Sequence, residues 1–392
     1  MKTPPKSIIR RTPWPDSASR PVVTPLQPSV VYASASPDAL DAQYEGRTAG
    51  YTYAREGHPN ADVLAQKIDA MEGASGGLIT GSGMSAIAAV FFGLLKAGDH
   101  VIGADQLYGR SLRMMKEELP RLGIETSLAD PTDVAAFEAA IRPNTKMIVV
   151  EVVSNPTLRV ADIQGISALA NDRRVILVVD NTFSTPRAFR PFEHGADIVV
   201  HSVTKLLAGH SDVTLGYVAA RDPELQARMT STAVTLGLTA SPFDCWLAER
   251  GLYSFELRYD RAEENAAKLA DVLAELPNIE HVLYPMRHDH PDHNRAVALL
   301  AGRGGNMVSF RIRGDRDSAN RLVTAAPNIA FAPTLGDIGT TLSHPASSSH
   351  RALTPEGRAA LGITEGFFRV SVGVEDVNLL IDELTRAVVA AV

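Results

Sequence analysis

Cysteine is nearly absent: the 392 residues include one, Cys245. No intrachain disulfide is possible, and a reducing compartment is the simplest home. Long apolar runs are missing too. Stretches such as Met147–Val150 and Val175–Val179 fall far short of the roughly 20 residues that span a bilayer. The basic start carries only two apolar residues between Ser7 and Arg10, against an apolar core of about 7–15 in a secretory signal. It is expected to be a solvated, frayed terminus, and the protein is expected to be cytoplasmic, with no membrane partner. Charge of one sign is scarce. With 38 Lys and Arg against 45 Asp and Glu, the net charge of −7 gives phosphate backbones little to hold, which argues against nucleic acid as a general partner. A composition of 45% hydrophobic and 21% charged residues suits a globular chain and argues against disorder. Internal repeats and low-complexity runs are absent. The length predicts two or three domains, each able to bury its own core.

Residues 1–58 have little periodicity and many breakers, among them Pro13, Pro21, Pro28, Gly46 and Gly57. So long an irregular stretch is unusual inside a compact domain, so it is expected to be an arm lying on another surface, that of a neighbouring subunit. Regularity begins at Asn60, the expected cap of a helix through Val63, Leu64, Ile68 and Met71 to Gly73. Short apolar runs then alternate with helical stretches. Strands are expected at Leu78–Thr80, His100–Gly103, Met147–Glu151, Val175–Asp180 and Ala196–His201, and helices at Met84–Lys96, Ser111–Leu122 and Ile163–Ala170. This alternation predicts an α/β domain over 59–251, with a mostly parallel sheet covered by helices on both faces. After residue 251 a helix over Leu257–Leu276, strands at Asn306–Ile312, Ile329–Leu335 and Phe367–Val372, and a helix over Val377–Val389 predict a smaller C-terminal α+β domain, 252–392.

Three expected strand ends deliver polar groups: Glu151 with Asn155, Asp180 with Asn181, and His201-Ser202-Val203-Thr204-Lys205. Ligands of open α/β sheets bind at the carboxyl ends of strands, so these groups are expected to converge on one crevice. Gly81-Ser82-Gly83 opens a helix, and its N–H groups make an anion site. It lacks the third glycine of a dinucleotide fingerprint and the Gly-Lys-Ser/Thr of a triphosphate loop, and a glycine turn alone is commonly only a turn. Lys205 follows an apolar strand. Apolar neighbours lower the pKa of a lysine into the nucleophilic range, where it forms a Schiff base with an aldehyde. Ser202 and Thr204 would supply hydroxyls for an anion, and Asp180 would hold a pyridinium nitrogen protonated. Taken singly, an exposed lysine at a strand end and an aspartate capping a helix are the commoner arrangements.

Asp180-Asn181-Thr182-Phe183, Ser202-Val203-Thr204-Lys205 and Gly209-His210-Ser211-Asp212, in this spacing, resemble the Cys/Met-metabolism family of pyridoxal 5'-phosphate (PLP) enzymes. The resemblance runs from about Tyr51 to the C-terminus. Members include cystathionine γ-lyase, cystathionine β-lyase, methionine γ-lyase, cystathionine γ-synthase and the homoserine sulfhydrylases. It implies the aspartate-aminotransferase fold (fold type I), a homotetramer built as a dimer of dimers with shared active sites, and a small-molecule sulfur amino acid as substrate. By motif, Lys205 matches the Schiff-base lysine, Asp180 the partner of the pyridine nitrogen, and Tyr108 the aromatic stacked on the ring, with a part in proton transfer. Gly83, Met84, Ser202 and Thr204 match the phosphate cradle. Tyr53 and Arg55 match the pair that reaches the neighbouring subunit's phosphate, and Arg369 the grip on the substrate α-carboxylate. Asn155 matches a residue near cofactor and carboxylate.

Three positions depart from the family pattern. Thr334-Leu335-Gly336 replaces a common Ser-Leu-Gly, Gly339 stands where several cystathionine-cleaving members carry Glu, and Arg110 stands where methionine γ-lyases carry Cys. Arg110 suits either a distal substrate carboxylate or a structural ion pair. His288, His290 and His293 form an expected surface loop, since no Cys or carboxylate set completes a zinc site. His344 and His350 are expected to position groups near the site, and Cys245 to be buried. The expected function is a PLP-dependent carbon–sulfur lyase. The alternatives are γ-replacement, as in cystathionine γ-synthase or O-acylhomoserine sulfhydrylase, and, remotely, a non-catalytic scaffold of the same fold.

Overall fold

A computed structural model describes residues 17–351 and 353–391; the basic start lies outside them. Among the described residues two sheets organise the chain. The first takes β1 (Leu78–Thr80), β2 (His100–Ala104), β3 (Glu125–Ala129), β4 (Thr145–Glu151), β5 (Ile176–Asp180), β6 (Ile198–Ser202) and β7 (Gly216–Ala220) in the order β1-β7-β6-β5-β4-β2-β3. Pairs β2–β3, β2–β4, β4–β5 and β5–β6 are parallel; β7 is antiparallel to both neighbours. Parallel strands need crossovers, and helices such as Gly83–Leu94 and Ile163–Arg173 supply them. With both faces covered, β4 buries Met147–Val150 almost completely. The second sheet takes β8 (Ile279–Leu283), β9 (Met307–Ile312), β10 (Ala330–Phe331), β11 (Thr341–Ser343) and β12 (Phe367–Ser371) in the order β10-β11-β12-β9-β8.

The helix Phe255–Ala274 joins the two cores. Phe255 and Tyr259 pack into the first sheet's cluster, while Leu269, Ala270 and Leu273 pack with Val308, Phe310 and Val370 against the second. Apolar residues every three or four positions keep one stripe buried along its whole length. Val377–Ala390 seals the same core with Leu380, Leu384 and Val388.

Several expected boundaries move. Asn60 does not cap its helix: His58 does, its Nδ1 accepting the Ala61 N–H, with Pro59 in the first turn. Asn60 instead pins the arm, accepting from Gln27 N–H at 2.9 Å and donating to Pro25 O at 3.0 Å. The arm is not wholly irregular, since Ser36 caps a helix over Pro37–Tyr44. The stretch expected as one helix over Ser111–Leu122 is Gly109–Arg113, a wider π turn over Met114–Glu118, and Leu119–Arg121. Pro120 has no N–H to return to the preceding turn. The run expected as a strand over Ile329–Leu335 pairs only at Ala330–Phe331, where Pro333 ends the ladder. The loop carrying His288, His290 and His293 is not simply a surface loop. His290 and Asp292 are buried, and Asp292 accepts from Arg159 Nε at 2.6 Å and Val160 N–H at 3.0 Å, joining the second sheet's region to the first.

Candidate active site

Strands β4, β5 and β6 end side by side, with Glu151 opposite Asp180 and Asp180 opposite Val200. One Asp180 oxygen accepts from the Thr182 N–H at 3.0 Å and the Thr182 hydroxyl at 2.5 Å. The same hydroxyl oxygen accepts the Ser202 N–H at 2.9 Å, tying the two strand ends together. Burial raises the Asp180 pKa, while the Thr182 bonds and His201 act against that rise. Convergence is only partial, because successive strand residues face opposite ways. Asn181 turns behind the sheet, donating to Glu72 and to Phe189 O at 2.8 Å each, and His201 bonds the same Glu72 oxygen.

Lys205 stands in the turn after β6, its N–H on Ser202 O and its carbonyl accepting the Gly209 N–H. Its amine lies 3.4 Å from the Thr334 hydroxyl. Burial first, and the charge of Arg369 second, lower its pKa, the direction a nucleophilic amine requires. Thr334 also accepts Arg369 through its carbonyl at 2.8 Å, and Asn155 Oδ1 accepts the other terminal nitrogen at 2.5 Å. Both partners of Arg369 are neutral, its Nε has none, and the side chain is buried. Burial lowers its pKa to about 10. A desolvated guanidinium with no carboxylate partner among the described residues is built to receive one. His350 is buried near it, and burial together with Arg369 pushes the imidazole down to about 4, so it stays neutral. His344 bonds Ser347 and Glu365 O and holds its own segment.

Ser82 caps the helix Gly83–Leu94 by accepting the Ser85 N–H, which leaves the first-turn N–H groups of Gly83 and Met84 for an anion. The turn presses on β6: a Cβ on Gly83 would meet the Ser202 Cβ at 2.8 Å and its hydroxyl at 3.0 Å. Ser202 therefore faces the cradle. The Thr204 hydroxyl does not have its hydrogen to offer, since it donates to Leu215 O and accepts the Leu215 N–H. Tyr108 stands at the mouth, 41% exposed, with its N–H on Glu151 at 2.5 Å. Arg110 is exposed; its neighbour Arg113 makes the local ion pair, with Glu117 at 2.8 Å. Gly339 gives its N–H to Asp337. Tyr53 and Arg55 remain on the arm, the guanidinium 5.2 Å above the Tyr53 ring. Cys245 is fully buried, and burial raises its thiol pKa.

These groups fit PLP. An amine of lowered pKa suits its aldehyde, a buried carboxylate its ring nitrogen, and a glycine-opened helix start its phosphate, while Glu151 Oε2 and Arg369 Nε are buried without partners. The sequence profile described as Cys/Met metabolism PLP-dependent enzyme matches residues 7–389. The chain belongs to this family. Among relatives, cystathionine beta-lyase MetC of Bacillus subtilis is 37% identical over 95% of this chain and 93% of that protein. The solved cystathionine gamma synthase of Xanthomonas oryzae, in complex with cystathionine, is 34% identical with a TM-score of 0.90, covering 96% of this chain and 95% of that one. A Campylobacter jejuni structure carrying N'-pyridoxyl-lysine-5'-monophosphate is 28% identical with a TM-score of 0.91, over 96% of this chain and 97% of that one. PLP is thus the cofactor of this family member, and fold type I its architecture. Sequence reasoning missed Thr182 as the strap between Asp180 and β6; its place directly after the strand-end pair was the available signal.

Proposed function

We propose that the chain is a carbon–sulfur lyase of the transsulfuration type, cleaving cystathionine or a related sulfur amino acid by β- or γ-elimination to a keto acid, ammonia and a thiol. The observation that carries this reading is Arg369, a buried guanidinium with neutral partners beside the Lys205 amine. Lys205 would hold PLP, which supplies an electron sink for negative charge at the substrate Cα. Arg369 and Asn155 grip the α-carboxylate, with Thr334 O fixing the guanidinium. Lys205 Nζ would be the base that takes the substrate Cα proton. Asp180 would keep the ring nitrogen protonated, and Tyr108 would cover the ring and assist proton transfer. Ser202 and the Gly83 and Met84 N–H groups would hold the phosphate, with Thr204 bracing that turn through Leu215. In γ-elimination a second proton leaves Cβ before the sulfur departs; in β-elimination the thiolate leaves directly.

The assembly is a homotetramer of tight dimers in which Tyr53 and Arg55 reach the neighbouring subunit's phosphate. Support comes from the exposed apolar side chains of the arm, Val22, Val23, Val30 and Val31. The arm is residues 1–58, the PLP-binding domain 59–251 and the C-terminal domain 252–392. Among the described residues no helix is long and apolar enough to cross a membrane, and a lone buried cysteine suits the cytoplasm. A second reading, γ-replacement, is favoured by the cystathionine-bound synthase neighbour and by Gly339 standing where cystathionine-cleaving members carry Glu. Incubation with cystathionine alone separates the two. Release of pyruvate or 2-oxobutyrate with a thiol is the expected result, absent in Lys205→Ala. Turnover only with an acylhomoserine plus a thiol would replace the lyase reading with the second.

A further inference from the structure

The reaction above gives Glu151 no role, yet it lies on the floor of the crevice. It ends β4 directly across from Asp180 on parallel β5, and paired residues of parallel strands send their side chains to the same face. The two carboxyls differ in their support. Asp180 has the Thr182 N–H and the Thr182 hydroxyl, both on one oxygen. Among the described residues Glu151 has one donor, the Tyr108 N–H at 2.5 Å on Oε1, and its buried Oε2 has no partner. Two ionised carboxylates side by side, one held by a single hydrogen bond, are not sustained away from water. The proton settles on the less supported one. Burial, and then the charge of Asp180, push the Glu151 carboxyl well above its usual range, against the Tyr108 bond.

The Tyr108 bond gives this proton a purpose. Tyr108 leads into Gly109–Arg113 with no side-chain cap on that helix. The next residue is boxed in, since a Cβ on Gly109 would stand 2.8 Å from Ser349 O. The Tyr108 N–H is held by Glu151 at the end of β4, while Ser349 O hems in Gly109 and the Tyr108 carbonyl accepts the Leu112 N–H. We infer that Glu151 is a positioning residue that works as an uncharged acid. Its Oε1 holds the Tyr108 main chain, while Oε2 keeps its hydrogen and leaves Asp180 as the negative charge at this level of the sheet. The inference rests on the roles proposed above for Asp180 and Tyr108, and holds whichever sulfur amino acid is the substrate.

Infrared difference spectroscopy of the PLP-loaded enzyme, wild type minus Glu151→Gln at neutral pH, tests it. A protonated-carboxyl band lost in E151Q is the expected result, together with a similar pH midpoint of cofactor absorbance in both proteins. Glu151→Leu, which removes the acceptor, lowers kcat by about tenfold or more, and E151Q, neutral with an acceptor oxygen, recovers most of that loss. No such band, or an absorbance midpoint displaced by about one pH unit or more in E151Q, means that Glu151 is ionised and overturns the inference. If E151L does not fold, the band in E151Q still decides. Failure to cleave any sulfur amino acid would sink the lyase reading and leave the band as it was.

Discussion

Arg369 is the side chain whose present partners least explain its burial: two neutral oxygens and one nitrogen with nothing. Lysine at this position keeps a charge but loses the planar fork that meets a carboxylate with two parallel bonds. Arg369→Lys is therefore expected to lower kcat/KM by about 30- to 1000-fold, carried mainly by KM, since binding the carboxylate is common to ground and transition states. Steady-state kinetics on cystathionine check this; an unchanged KM would remove Arg369 from the carboxylate site. At this scale much was legible. Lys205 and Asp180 follow or end apolar strands, so chemical type and position both marked them as candidates, whereas Arg369 was marked only by the family resemblance. The facing of individual side chains was not legible: Asn181 and His201 share strand ends with the site yet turn to Glu72, and the Thr204 hydroxyl belongs to Leu215. These outcomes depend on pleat and on partners far away in the chain.

Elements position Lys205 from two sides. Arg258, on the long helix that joins both cores, donates to Leu206 O, Leu207 O and Gly251 O, and burial lowers its pKa to about 10. From the second sheet's region comes Gly336, at φ +80°, where a Cβ would stand 2.5 Å from Leu206 N and 2.8 Å from the Lys205 carbonyl carbon. Gly336→Ala adds about 1–2 kcal/mol of left-handed strain and about 1–3 kcal/mol of overpacking against main chain. The backbone under the reactive amine must also move. We expect a lower Tm and a fall in kcat on the order of 100-fold. Gly362→Ala, at φ +72° with open space around it, carries the strain alone and is expected to lower Tm without that fall. Equal kcat in the two variants would show that Gly336 does not set the lysine. The continuously apolar β4 and β5 were readable because burial on both faces writes itself into composition. Strand β7 was not, since Gly216, Ala219 and Ala220 are weak strand formers chosen for close packing: a Cβ on Gly216 would overlap the Ser82 carbonyl.

Across the whole molecule, the buried loop of His290 and Asp292, a plug tying the second sheet's region to the first, makes stability depend on pH. His290 is 3% exposed, its Nδ1 accepts the Asp292 N–H at 3.1 Å, and burial pushes its pKa down to about 4. In the unfolded chain the same imidazole protonates near the ordinary value of about 6.5. Between those values the unfolded state binds the extra proton, so the stability linked to a neutral His290 is complete above about pH 6.5 and is lost as pH falls toward 4. For one such group the loss between pH 7 and pH 5 is about 2 kcal/mol. Glu151, whose pKa is raised well above its usual range, acts in the opposite sense, because the folded state keeps a proton that the unfolded chain releases. The raw profile therefore mixes signs, and a difference between proteins isolates the histidine. His290→Asn presents a neutral oxygen where Nδ1 accepts, so the bond from Asp292, and with it the tie to Arg159 and Val160, is retained while the titration is removed. Urea unfolding at pH 7 and pH 5 is expected to show the wild type losing about 2 kcal/mol more than H290N over that interval. Parallel losses in the two proteins would mean that His290 takes up its proton in the folded state, and that the plug opens to water without unfolding the sheets on either side of it.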